Sequence, residues 1–142
     1  MNSKITLGTA QFGMNYGIAN NSGKIKSSEI LRILNFSKKN KISFLDTASS
    51  YNSSENEIGK YYRKTKKKFQ IITKFSFRNN KSIKSQFTKT MNSLGYIPNS
   101  ILAHSYKDFL NPKFHKDIDK IKREYFIKNI GVSLYNVSEL KK

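Results

Sequence analysis

Hydrophobic and polar positions follow two alternating rhythms along this chain. Short, nearly unbroken apolar runs occur at 5–7, 42–45, 69–72, 101–103 and 130–132. Between them, apolar residues recur three and four positions apart: Ile30, Ile33 and Leu34; Ile58, Tyr61 and Tyr62; Ile83, Phe87, Met91 and Leu94; Phe114, Ile118, Ile121 and Tyr125. An unbroken apolar run bounded by turn residues fits a strand covered on both faces, whereas the longer spacing fits a helix with one buried face. The pattern predicts a strand within 4–13, and further strands over 42–46, 69–75, 100–104 and 128–133. Polar residues supply the punctuation. Ser27 and Ser28 are placed to cap the first helix, and Ser54 with Glu57 spells a capping box for the second. Gly95 is placed to cap the end of the third, and Pro112 opens the fourth.

Strand and helix therefore alternate with a period of roughly thirty residues, which argues for βα units and a parallel sheet. The fold class is α/β. With five strands, a flavodoxin-like doubly wound sheet is one way to arrange these units. Asn136 and Glu139 begin what reads as a further helix, yet the sequence stops at Lys142. The expectation is a chain truncated at its C-terminus, with residues 1–142 forming a single, partial domain.

Composition narrows the field. There are 142 residues and no cysteine, which excludes a disulfide framework and a thiolate metal site. No apolar run approaches the ~18 residues of a membrane span, and no secretory apolar region follows Lys4, so the expected location is cytoplasmic. The formal charge of +18 raises the question of a polyanion partner. Lysine outnumbers arginine, however, and is spread through nearly every segment. Its densest run, Lys64 with Lys66, Lys67 and Lys68, falls at a predicted helix end, where cations favour the dipole. The charge is read as a solvated surface, with nucleic acid and membrane not expected as partners.

The chemistry concentrates where strands end. Asp46, Lys74 and His104 close the second, third and fourth strands, and Tyr51 follows Asp46 by five residues. In a parallel βα sheet all strand C-termini share one face, so these four side chains can converge. A phenol near pKa ~10 is a poor acid at neutral pH, and a neighbouring ammonium would lower that value. A carboxylate would keep such a lysine charged. Each residue has a plainer reading: Asp46 as a turn cap, Lys74 as a surface lysine, His104 as a structural histidine. Their shared position is what sets those aside. His115 has no such company and reads as a surface residue. The early glycines do not spell G-x-G-x-x-G, so the Rossmann signature is absent.

The run Asp46-Thr47-Ala48-Ser49-Ser50-Tyr51, continuing through Ser54-Glu55-Asn56-Glu57-Ile58-Gly59, resembles the signature of the aldo/keto reductases. So do Leu7-Gly8-Thr9 with Phe12-Gly13, Ile72-Thr73-Lys74, Leu102-Ala103-His104-Ser105 and Ile130-Gly131-Val132-Ser133, in order and nearly throughout the chain. The resemblance implies a (β/α)8 TIM-type barrel present as its N-terminal half, strands one to five with helices one to four. It implies NADPH-dependent reduction of an aldehyde or ketone, with NADH not excluded, a small-molecule carbonyl substrate and no metal. It implies Tyr51 as proton donor, Lys74 as the group lowering its pKa, Asp46 as the partner of Lys74, and His104 orienting the carbonyl. Gly8, Thr9 and Asp46 would lie near the nicotinamide, and Ser133 would bond its carboxamide. The family often has Asn after that serine; here Leu134 stands there, with Asn136 close by. An open half barrel could also close by self-association, since its outer strands leave unpaired edges.

Overall fold

The computed structural model describes residues 4–77 and 82–140. The chain forms β1 (Thr6–Gly8), α1 (Ala10–Gly13), α2 (Ser27–Lys39), β2 (Phe44–Asp46), α3 (Ser54–Thr65), β3 (Gln70–Phe75), α4 (Ile83–Leu94), β4 (Ser100–Ala103), α5 (Tyr106–Phe109), α6 (Pro112–Tyr125), β5 (Asn129–Val132) and α7 (Val137–Leu140). The short helices α1, α5 and α7 stand beyond the four that periodicity predicts. Single turns bury too few apolar positions to leave a periodic trace.

All five strands run parallel in the order β1-β2-β3-β4-β5. A doubly wound flavodoxin-like sheet would place a later strand on the far side of β1. The sequential order excludes it and is that of a (β/α)8 barrel, of which these are five strands. The pairings set Phe75 beside Ala103, so β3 and β4 end at one level, and Asp46 beside Ile72, so β2 ends three residues short of it.

The helices cover one face of the sheet in two apolar clusters. Leu45 and Ile71 meet Ile30 and Leu34 of α2 and Ile58 of α3. Phe75 and Ile101 meet Phe87 of α4 and Phe114, Ile118 and Ile121 of α6. The stripes read from the sequence thus point inward. On the opposite face Phe44, Ile72 and Leu102 are only half-buried.

Two caps differ from expectation. The second helix starts at Ser54, behind Ser53, with no side-chain cap, so there is no Ser54–Glu57 box. Ser54 is fully buried and its hydroxyl lies against the Thr9 carbonyl and hydroxyl at 2.9 Å, tying α3 to the first βα turn. Likewise α2 starts at Ser27 behind Lys26 without a side-chain cap. Gly95, at φ +80°, and Pro112 sit where the sequence put them. The 135–139 segment follows its expectation too: Glu139 accepts from the backbone N–H of Tyr135 (2.8 Å) and Asn136 (3.2 Å).

Lysines gather at the helix C-termini, opposite the face where Asp46 and His104 lie: Lys38 and Lys39 in α2, Lys64 in α3, Lys122 in α6. Lys38 lies 4.0 Å from the Phe69 ring centroid and donates to the Lys68 carbonyl. Burial and the charge of Lys67 hold the Lys38 ammonium below its usual range. Among the described residues no helix is long and apolar enough to cross a membrane.

Candidate active site

Parallel pairing delivers the ends of β2, β3 and β4 to one rim, and each carries one of the residues singled out from sequence. Lys74 is buried, with only 6% of its surface exposed. Its ammonium donates to both Asp46 carboxylate oxygens, at 2.6 and 2.7 Å, and to the Thr47 carbonyl at 3.1 Å. A buried lysine survives in charged form only with such partners. All three donors are spent within a few ångström of the β2 terminus.

Tyr51 stands above this pair. The Lys74 ammonium is 5.3 Å from its ring centroid. The backbone that carries it is a tight turn: Tyr51 N–H donates to the Ala48 carbonyl (3.0 Å), and Ser54 N–H donates to the Tyr51 carbonyl (2.9 Å). The His104 ring meets Tyr51 edge-on, with centroids 6.0 Å apart and planes at 84°. Its Nδ1 is 3.4 Å from Ser50 Oγ, and its backbone N–H donates to the Phe75 carbonyl at 2.8 Å. The structure therefore brings Asp46, Tyr51, Lys74 and His104 together. Tyr51, Ser50 and His104 line a pocket of about 400 Å³.

One expectation is overturned. Tyr51 is not lowered by its lysine; burial pushes the phenol up to about 12, with Asp46 adding in the same direction, followed by Tyr16 and Tyr135. The reason is geometric. The Lys74 charge is neutralised at close range by Asp46, so the phenol faces a compact pair instead of a bare cation.

The four positions expected near a cofactor divide. Gly8 ends β1 with open space where a side chain would stand. Asp46 keeps about a third of its side chain exposed at the rim. Ser133 follows β5, its N–H donating to the Ala103 carbonyl at 2.9 Å, and among the described residues its half-buried hydroxyl makes no hydrogen bond. Thr9 turns the other way: it is completely buried, and its hydroxyl donates to the Asp46 carbonyl at 2.9 Å. It braces the rim from inside. His115 is exposed, as expected, its Nε2 at 2.6 Å from the Phe109 carbonyl.

With this geometry in hand, comparison with known proteins is decisive. The family description "Aldo/keto reductase family" matches residues 4–142. The chain belongs to the aldo/keto reductase family. No curated protein matches it significantly. Among solved structures it is similar to a Pseudomonas aeruginosa protein described as an aldo-keto reductase, at 22% identity and a TM-score of 0.79 over 97% of this chain and 58% of that one. A Klebsiella pneumoniae aldo-keto reductase, solved in complex with NADPH, is similar at 16% identity and 0.72, over 99% of this chain and 48% of that one. One from Brucella melitensis gives 20% and 0.68, over 96% and 51%. At such identities these likenesses carry the fold. The chain spans about half the length of these relatives.

Three polar residues at this site escape a reading of the sequence alone. Asp108 accepts from Ser76 Oγ (3.1 Å), Phe77 N–H (2.9 Å) and Ser105 Oγ (2.7 Å). Its signal was present: Ser105 and Asp108 form the S-x-x-D spacing of a cap, and Ser105 does accept from Asp108 N–H. Gln86 accepts from Ser49 Oγ at 2.9 Å and donates to the Ser76 carbonyl at 2.7 Å. It reads as an ordinary helix residue, and nothing local distinguishes it.

Glu55 is the third. It is 5% exposed and accepts from Thr73 Oγ1 (2.7 Å) and Thr90 Oγ1 (2.9 Å), binding α3 to β3 and α4 next to Lys74. Burial raises its carboxyl above the usual range, against the threonine hydrogen bonds. The folded state thus holds this proton more tightly than the unfolded chain. The stability this gives is full below the ordinary carboxylate pKa and fades as pH rises through the raised one. Glu55→Gln is already neutral, so it should gain on the native protein over that window, by about 1.4 kcal/mol at most per pH unit of displacement. Urea midpoints across the acid range check this; a gap that stays constant with pH rejects it.

Proposed function

We propose that the chain carries the acid–base half of an NADP(H)-dependent reductase that converts a small aldehyde or ketone to its alcohol. The observation that carries the proposal is the buried Lys74, paired with Asp46, directly beneath the Tyr51 ring, with His104 at the ring's edge. In this reading Tyr51 donates the proton and His104 orients the carbonyl oxygen. A phenol held near 12 keeps its proton at all physiological pH, so the donor is always loaded. It yields that proton only to a stronger base, such as the alkoxide that forms as the carbonyl is reduced. Lys74 then sits 5.3 Å from the ring where negative charge appears, and Asp46 fixes it there. Preplaced charge of this kind lowers a barrier without reorganisation.

NADP(H), when bound, supplies the hydride. Support for that cofactor comes from the Klebsiella relative and from the fit of this rim. Ser133 offers a hydroxyl that makes no hydrogen bond among the described residues, Asp46 a partly exposed carboxylate, and Gly8 an unobstructed approach.

The test is NADPH oxidation with simple aldehydes, measured on this sequence and on the reductase completed to the length of its relatives. Lys74→Met should leave NADPH affinity nearly unchanged and lower turnover by about 10²-fold, the cost of losing one preorganised charge. Native turnover in that variant would remove Lys74 from the mechanism.

A further inference from the structure

The pocket beside Tyr51 and His104 is rich in polar groups. Beyond those two, its lining includes Ser49, Ser76, Gln86, Ser105, Asp108 and Lys89, with Met14 the one aliphatic member. A pocket for an apolar carbonyl compound would present hydrophobic walls with few polar groups. Here the wall is a hydrogen-bonded belt running from Ser49 to Gln86 to Ser76 to Asp108 to Ser105. Serine hydroxyls each hold two acceptor sites beside one donor, so a belt so joined still offers acceptors to a hydroxylated ligand.

The charges are unequally committed. Asp46 is paired with Lys74 through both oxygens. Asp108 is buried, and three donors cover its oxygens. Lys89 is the one ammonium among the lining residues. It makes no hydrogen bond or ion pair among the described residues, although its field reaches Glu55. Lys89 stands one turn beyond Gln86 on α4, whose N-terminus follows the C-terminal end of β3. Helical side chains lean toward the N-terminus, so the Lys89 stem rises beside Gln86 to the rim. The positive end of the α4 dipole points the same way.

We infer that the substrate is a short hydroxylated aldehyde or ketone bearing an anionic group, carboxylate or phosphate, which Lys89 receives while the serine hydroxyls of the belt take the hydroxyls. This rests on the reductase reading in taking the bound compound to be a carbonyl.

The experiment is a nuclear magnetic resonance titration of the 142-residue chain, following the His104 ring and the Lys89 terminus. Paired probes separate charge from shape: glyceraldehyde 3-phosphate against glyceraldehyde, and succinic semialdehyde against butanal. The anionic member of at least one pair should bind about tenfold more tightly, as one partly exposed charge pair allows. Whichever pair shows the larger ratio assigns phosphate or carboxylate. In Lys89→Met that ratio should fall to near one, and in Lys89→Arg it should persist. Equal affinities within both pairs overturn the inference. So does a preference that survives in Lys89→Met, or inorganic phosphate binding as tightly as the phosphorylated aldehyde. Hydride transfer from NADPH is assayed separately. An anionic preference without turnover would defeat the reductase reading and leave the ligand preference standing; turnover without that preference would do the reverse.

Discussion

Tyr51→Phe is expected to lower carbonyl reduction by about 10³-fold while leaving the fold intact, within the usual range for loss of a general acid. The phenyl ring keeps the edge-on contact with His104 and the position over Lys74. Only the hydroxyl goes, and it is the group that carries the proton. The same variant tests the displaced phenol. Tyr51 and Tyr96 are both pushed up to about 12 by burial. Tyrosinate absorbance titrated to high pH should show one late phenol fewer in Tyr51→Phe than in the native chain. The sign for stability follows. A raised phenol binds its proton more tightly when folded, so its contribution is complete below about pH 10 and is lost as pH rises through 12. Tyr51→Phe should therefore resist alkaline unfolding slightly better than the native protein. Native turnover in the variant would end the proton-donor reading; a native titration curve would mean that burial does not hold the phenol up.

Much of this site could be read from the sequence, because parallel βα order alone sends every strand terminus to one rim. Asp46, Lys74 and His104 end three apolar runs, so their convergence needed no side-chain detail. What the sequence concealed was how charge is shared once they converge. A lysine near a tyrosine suggests a lowered phenol. Burial raises it instead, and Asp46, which holds Lys74 at 2.6 and 2.7 Å, adds to the rise; no spacing rule predicts that burial or those distances. Ser54 and Thr9 teach the same lesson in another form. Each has a plausible local role, as cap and as cofactor contact, yet their hydroxyls meet each other across 45 residues of sequence. Gln86 and Glu55 were silent because a helix pattern records only apolar positions. Their partners, Ser76 and Thr90, are set by how α4 lies on β3 and against α3.

That dependence on tertiary approach makes Gly13→Ala a strongly disruptive substitution. A Cβ at Gly13 would lie 1.7 Å from the Tyr51 carbonyl oxygen and 2.7 Å from the Ser54 nitrogen. Both atoms belong to the turn that presents Tyr51, and both are backbone, so no rotamer relieves the overlap. The turn must move by more than an ångström, or α1 must lift from α3. Overpacking of a well-filled site costs about 1–3 kcal/mol, and an overlap with fixed backbone belongs at or above the top of that range. Gly59→Ala supplies the comparison. Its Cβ would lie 1.9 Å from the Ser93 carbonyl oxygen, where α3 crosses α4, so a similar loss is expected there without displacement of the Tyr51 turn. Gly8→Ala meets nothing within 4 Å and should be close to neutral for stability. Urea denaturation ranks the three. The ring resonances of Tyr51 and His104 then separate the first two: both should shift in Gly13→Ala and hold in Gly59→Ala. If Gly13→Ala unfolds at the native midpoint with unmoved rings, α1 is not seated on that turn, and the support drawn here for Tyr51 fails with it.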